Sequence, residues 1–243
     1  MNLLLVSDLH LNPGSRDRND LFISFLESVK QGGDRVIVLG DLFDLWLGFE
    51  GLTFEYQKPI VGKMEELAKS GLMMDYVEGN RDFGISSYQG RLFKEVTERG
   101  RAIPWGQVKI YVEHGDLINR ADHQYRLWRG TSKNALAYWM MNHLPRGFSL
   151  RVSEKLERSM KGTNLKYKIH YPEAEVEQFC RTQGGRGSDI VVFGHFHQQR
   201  EMSFRIANRD VLCYNLPGWE TGFHYLVVPG DGGRPVFREF ASK

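Results

Sequence analysis

Cysteine is nearly missing: Cys180 and Cys213 are the only two in 243 residues. Two thiols make neither a disulfide framework nor a thiolate zinc ribbon, and they read as small buried hydrophobes in a reducing compartment. Long apolar runs are missing too, and no stretch approaches the roughly 18 residues of a membrane span. The apolar start at residues 1–6 has no basic flank and soon meets Asp8, which argues against a signal peptide. Neither sign of charge dominates, with 32 Lys and Arg against 30 Asp and Glu. A nucleic-acid binder usually shows a basic footprint, so no nucleic-acid partner is expected. Internal repeats and low-complexity tracts are also absent. The remaining balance, 41% hydrophobic and 26% charged, suits a cytoplasmic globular chain with an unstapled core.

What is present is a recurring unit. Short β-branched or Leu-rich runs at residues 3–6, 35–39, 73–77, 108–112 and 189–193 are too short for helices and read as buried strands. Residues 20–30 carry Phe22, Phe25, Leu26 and Val29 at helical spacing behind Asp20, a candidate N-cap. Residues 60–70 read as a second helix, closed by Gly71. The tail alternates like antiparallel strands around residues 204–206, 211–213, 225–228 and 236–237.

Each strand ends in a polar cluster: Asp8-x-His10, Gly40-Asp41-x-x-Asp44, Gly79-Asn80, His114 and Gly194-His195-x-His197. In an open α/β sheet such ends converge on the crevice where ligands bind. One buried Asp often only caps a helix, and a lone His is often a hydrogen-bonded core residue. Five clusters in series on strand ends need a common cause. Asp8, His10, Asp41, Asn80, His114, His195 and His197 offer nitrogen and oxygen without sulfur, a donor set for two divalent cations. Alternation along an extended strand end is expected to bring Asp8 with His10, and His195 with His197, onto one side.

The spacing also exposes an insertion. Asp8, Asp41, Asn80 and His114 lie 33, 39 and 34 residues apart, each about one βαβ step, but His195 follows His114 by 81. Residues 118–171 hold eleven Lys and Arg against three acids, a surplus of eight that leaves the rest of the chain acidic. Within them, residues 135–144 are apolar on nearly every face. Phe148, Val152, Leu156 and Met160 then step at i+4, with Arg151, Lys155 and Arg158 on another face. Two cap helices packed on each other and on the domain explain this pattern; so does a surface selected by an anionic, acylated partner.

The blocks DLH, GDLFD, GNRDF, HGD and GHFH resemble the calcineurin-like metallophosphoesterases. That resemblance implies an α/β fold, a four-layer αββα sandwich in a single domain over 1–243, with a helical cap inserted at about 120–172. It further implies that Asp8, His10, Asp41 and His197 hold one metal and Asp41, Asn80, His114 and His195 the other, with Asp41 shared. Commoner phosphatases of this family carry His where this chain has Arg81. Arginine stays protonated and cannot act as a general acid, but it can neutralise a phosphate leaving group, which favours pyrophosphate over monoester hydrolysis.

GDLFDLW, GNRDF and HGDLINRADHQYRLWR are similar to the UDP-2,3-diacylglucosamine diphosphatases of lipid A synthesis. The similarity implies attack on the α-phosphate, giving UMP and 2,3-diacylglucosamine 1-phosphate, with two divalent ions expected to be Mn²⁺. Asn80, Arg81 and His195 would act at the phosphates and Asp122 at the glucosamine headgroup, with Tyr125, Arg129, Asn164 and Lys166 as further substrate contacts. The later contacts depart from the family pattern. Met160 and Tyr167 occupy its Ser and Lys positions, with Ser159, Lys166 and Lys168 one residue away. A monomer on the cytoplasmic side, resting peripherally on the anionic inner membrane, is expected. Another nucleotide-diphosphate pyrophosphatase, a general phosphoesterase, and a non-catalytic scaffold of the same fold are the alternatives. Asp44 reads as a support or a cap, Asp82 as orienting Arg81 or capping a turn, and Trp46 as packing on the cap or filling the core.

Overall fold

Four- and five-residue apolar runs close too few helical hydrogen bonds to be stable alone, so they extend and pair. The computed structural model describes residues 1–49, 51–144, 147–149, 151–153, 155, 171–220 and 222–241. In chain order it has β1 (Leu3–Val6), α1 (Arg16–Gly32), β2 (Arg35–Val38), β3 (Trp46–Leu47), α2 (Gln57–Lys69), β4 (Met73–Val77) and β5 (Asp82–Phe83). A 3-10 turn (Ile85–Tyr88), β6 (Glu95–Thr97), β7 (Arg101–Trp105) and β8 (Val108–Glu113) follow. Then come α3 (His123–Ser132), α4 (Ala135–His143), α5 (Glu173–Gly185), β9 (Ile190–Phe193), β10 (Arg200–Ile206), β11 (Arg209–Asn215), β12 (His224–Val228) and β13 (Val236–Glu239).

Two sheets stack. The first is ordered β13-β12-β1-β2-β4-β6, with β1, β2, β4 and β6 parallel and β12 antiparallel to both neighbours. The second is ordered β10-β11-β9-β8-β7, parallel at its centre and antiparallel at both edges. Alternation along β1 sends Leu3 and Leu5 inward to Ile110, Val112, Ile190 and Val192 of the second sheet. Leu4 and Val6 point the other way, onto Phe22, Phe25 and Leu26 of α1 and Met64 of α2. On the far side, Val176 and Cys180 of α5 cover Val191, Val211 and Cys213. Each fully buried side chain of this kind contributes about 1.5–3 kcal/mol. The result is the expected αββα sandwich, with helices inserted between β8 and α5.

Some boundaries differ from expectation. α1 begins a turn early, at Arg16, because the turn at Pro13-Gly14 has already closed through Ser15 N–H to Asn12 O. Asp20 therefore lies inside the helix and caps nothing. α2 starts at Gln57, whose side chain donates to Leu45 O at 2.7 Å, and Pro59 sits in the first turn, where its missing amide costs nothing. Trp46 fills the core, edge-on to Phe43 and Tyr76.

Candidate metal centre

Asp8, His10, Asp41, Asn80, His114, His195 and His197 all follow strand ends, as expected, but the backbone there is not extended. Asp8 (φ 53°), His10 (φ 47°), Asp41 (φ 54°), His195 (φ 70°) and His197 (φ 55°) are left-handed. Among the described residues the only other non-glycines at positive φ are Ala207 and Asn208, in the β10–β11 hairpin. Left-handed steps, not strand alternation, lead from Asp8 to His10, whose Nε2 lies 4.0 Å from Asp8 Oδ1, while His195 turns to Asn80 and His197 to His10. Each such residue costs about 1–3 kcal/mol and persists only where its surroundings impose it. Here they do: Asp8 N–H donates to Gly40 O, His10 N–H to Asp41 O and Trp219 N–H to Asp8 O. A Cβ on Gly40 would come within 2.5 Å of Gly79 Cα, so the Asp41 and Asn80 loops touch backbone to backbone.

The side chains form two overlapping sets, Asp8–His10–His197 and Asp8–Asp41–His114, in each of which the ligand atoms lie within 4.8 Å of one another. His10 Nε2 and His197 Nε2 face each other at 3.4 Å, and Asp8 Oδ1 is 3.2 Å from the latter. Asp8 is common to both sets, and Asp41 Oδ2 also reaches across them, 4.0 Å from His10 Nε2 and 3.8 Å from His114 Nε2. Asn80 Oδ1 meets His114 Nε2 at 3.0 Å and His195 Nδ1 at 2.9 Å. His114 Nδ1 is 2.7 Å from Leu39 O, a bond only N–H can make, so in the neutral ring Nε2 keeps its lone pair towards the amide oxygen. Converging lone pairs, with Asp8 Oδ1 buried and lacking any hydrogen-bond donor, fit divalent cations.

The electrostatics agree. Burial alone would push the Asp8 carboxyl up, but the His197, His114 and His10 rings outweigh it and hold it well below the carboxylate range. Burial and the neighbouring His114 ring push His195 down to about 4, leaving its imidazole neutral at physiological pH. Carboxylates stand behind two of the rings: Asp44 Oδ1 is 3.5 Å from His10 Nδ1, and Glu220 Oε2 is 3.5 Å from His197 Nδ1. Such partners orient an imidazole and raise its basicity as a ligand. Asp82 neither orients Arg81 nor caps a turn. Its Oδ2 accepts from Asp41 N–H at 2.9 Å, Gly79 N–H at 2.7 Å and Tyr76 O–H at 2.9 Å, tying the two loops together. Burial and the Asp41 carboxylate push it up to about 6.

Arg81 is buried; its N–H donates to Asp41 Oδ1 at 2.8 Å and its guanidinium reaches Asp44 O at 3.4 Å. Asp122 caps α3, accepting from Tyr125 N–H at 2.9 Å. The Tyr125 hydroxyl and the Arg129 guanidinium both donate to buried Asp116, two residues past His114. Asn164 and Lys166 lie outside the described residues, as do Ser159, Met160, Tyr167 and Lys168. Trp128, Tyr138 and Met141 pack inward against Leu45, Leu47, Phe49 and Phe83. The outer side is different. Leu127 (71% exposed), Leu136 (66%), Trp139 (57%) and Met140 (47%) face solvent. Phe148 and Val152, expected to pack, are also exposed, while Ser149 and Ser153 are buried. Glu220, Glu78 and Lys133 escaped the sequence reading: Glu78 follows β4 directly but offers no pattern beyond the adjacent Gly79-Asn80, and no strand-end pattern marks the other two.

No helix among the described residues is long and apolar enough to cross a membrane. The chain is 26% identical over 239 residues to the UDP-2,3-diacylglucosamine hydrolase of Pseudomonas aeruginosa (strain UCBPP-PA14), covering 96% of this chain and 98% of that one. It is 26% identical over 249 residues to the UDP-2,3-diacylglucosamine hydrolase of Vibrio atlanticus (strain LGP32), covering 100% of both. A solved archaeal phosphodiesterase shares the fold, with a TM-score of 0.51 at 11% identity over 99% of this chain and 100% of that one. The model of the calcineurin-like phosphoesterase superfamily domain matches residues 1–237. With that match spanning nearly the whole length, the chain belongs to the calcineurin-like phosphoesterase superfamily.

Proposed function

We propose that this phosphoesterase hydrolyses the pyrophosphate of UDP-2,3-diacylglucosamine at the α-phosphorus, releasing UMP and 2,3-diacylglucosamine 1-phosphate for lipid A biosynthesis. The observation that carries the reading is Arg81, a buried permanent cation on the Asn80 loop, whose backbone N–H donates to Asp41 Oδ1 and whose guanidinium donates to the Asp44 carbonyl. A leaving phosphate is already a weak base and needs charge neutralised, not a proton; arginine supplies that and nothing else. The names of the two bacterial relatives support the substrate.

In this reading Asp8, His10, Asp41 and His197 hold one ion, and Asp41, Asn80, His114 and His195 hold the other, Mn²⁺ being the expected metal. When bound, such ions draw charge from the phosphoryl oxygens and activate the attacking water. Asn80 and His195 border the phosphates, Arg81 takes the charge of the departing group, and Asp122 faces the glucosamine. Tyr125 and Arg129 act through Asp116, and Asn164 and Lys166 complete the later contacts. The chain works as a single domain with a cap at about 120–172. Exposed Leu127, Leu136, Trp139 and Met140, within a segment carrying a basic surplus, suit peripheral attachment of a cytoplasmic monomer to an anionic leaflet.

³¹P NMR of the protein with UDP-2,3-diacylglucosamine and Mn²⁺ in H₂¹⁸O, repeated with EDTA, tests this. Metal-dependent ¹⁸O-labelled UMP is the expected product. Intact substrate, alongside cleavage of simpler phosphoesters by the same preparation, would overturn the lipid assignment and leave a general phosphoesterase.

A further inference from the structure

Lys133, immediately after α3, buries its charge against the sandwich, with a side chain 3% exposed. An ammonium out of water is costly unless several partners replace its hydration. Lys133 has three. Its Nζ donates to Gly79 O at 2.5 Å, lies 3.5 Å from Glu78 Oε2 and stands 5.2 Å over the Phe83 ring. Glu78 is held in turn, its Oε1 accepting from Ile85 N–H at 2.7 Å.

The accepting carbonyl matters most. Gly79 C=O and Asn80 N–H belong to one rigid peptide plane, so holding that oxygen fixes where the Asn80 Cα begins. The sandwich grips the same residue from below, through Gly79 N–H to Asp82. Lys133 supplies the grip from the inserted helices. Arg129 and Tyr125 come four and eight residues before Lys133, on one face of α3, which ends at the Lys133 C-cap. They hold Asp116 beside His114. One helix face therefore braces both the His114 loop and the Asn80 loop. Asp8, His10 and His197 are supported instead by Ser7, Asp44 and Glu220.

We propose that Lys133 is a positioning residue: by holding the Gly79–Asn80 peptide from the helical insertion, it aims Asn80 at His114 and His195 and sets how tightly the second ion is held. This rests on the dinuclear reading above. It makes the two ions unequal, since only one depends on contact between α3 and the sandwich.

Mn²⁺ titration calorimetry and electron paramagnetic resonance on the full chain test it, comparing wild type, Glu78→Gln and Lys133→Met/Glu78→Gln. The double variant leaves no unpaired buried carboxylate. Glu78→Gln removes the ion pair yet keeps the Lys133–Gly79 bond and the acceptor for Ile85 N–H. Wild type and Glu78→Gln should each take up two ions, with a spin-coupled Mn–Mn spectrum. The double variant should bind one ion as wild type does, bind the second at least about tenfold more weakly, and lose the coupled spectrum at stoichiometric metal. Two wild-type affinities in the double variant would overturn the proposal. So would equal weakening of both ions, which is the mark of general loosening, or loss of the second ion in Glu78→Gln. A wild-type chain that takes up a single ion would overturn the dinuclear reading itself, and this proposal with it.

Discussion

Around Asp8, Asp41 and His114 the backbone is strained, the side chains are buried and the loops lean on one another through Asp82 and the Gly40–Gly79 contact. In α3 and α4 the backbone is regular, begun by side-chain caps at Asp122 and Asn134, yet Leu127, Leu136 and Trp139 stand in solvent. The first region gives up backbone comfort to hold its ligand atoms together. The second gives up apolar burial and keeps an open face. A cation site has no use for slack, because ligand geometry sets affinity. An apolar face left open to solvent has no such need of a closed core.

The contrast can be broken from either side. Asp41→Ala removes the carboxylate between the two ligand sets and should lower turnover by about 10³-fold or more, measured as steady-state kcat with Mn²⁺ in excess. Retained turnover would mean that the shelf is not the reaction centre. Arg81→Ala should cost about 10²-fold on a pyrophosphate substrate and under about tenfold on p-nitrophenyl phosphate; equal losses on both would remove the reason for preferring pyrophosphates. Glu220→Gln weakens the carboxylate behind His197 and should loosen one bound Mn²⁺ by about tenfold, leaving kcat at saturating metal nearly unchanged. Calorimetry distinguishes that from no effect, which would reduce Glu220 to a surface charge. Leu136→Ser with Trp139→Ser should lower binding to anionic vesicles severalfold, while hydrolysis of soluble p-nitrophenyl phosphate stays at the wild-type rate. Undiminished vesicle binding would locate the membrane-facing surface elsewhere.

The two regions also differed in how far they could be read beforehand. Strand ends were legible because an apolar run stopping at Asp, Asn or His is a local pattern; the αββα layering came only through the family resemblance that those blocks carry. The left-handed steps were not: φ at Asp8 or His195 is imposed by hydrogen bonds from loops far away in sequence, and neither residue type announces it. Asp20 misled because a good capping residue carries no mark of the turn at Pro13-Gly14 that had already opened the helix. α5 was overlooked because few of its side chains, among them Val176 and Cys180, reach the core, too few for a visible stripe. Lys133 counted only as one of the eleven basic residues of the insertion. Its burial depends on Glu78 and Gly79, 55 and 54 residues back, with no periodicity linking them.

The order β13-β12-β1-β2 has a consequence for how the chain is made. β1 lies inside its sheet, but one of its two neighbours, β12, leaves the ribosome more than 200 residues after it. Until then the first strand offers an open hydrogen-bonding edge, the feature that invites pairing with other chains. His195 and His197 come shortly before β12. Sealing this edge and bringing in the last of the candidate ligands thus fall close together, and the open edge of β1 lasts nearly as long as the ligand set stays incomplete.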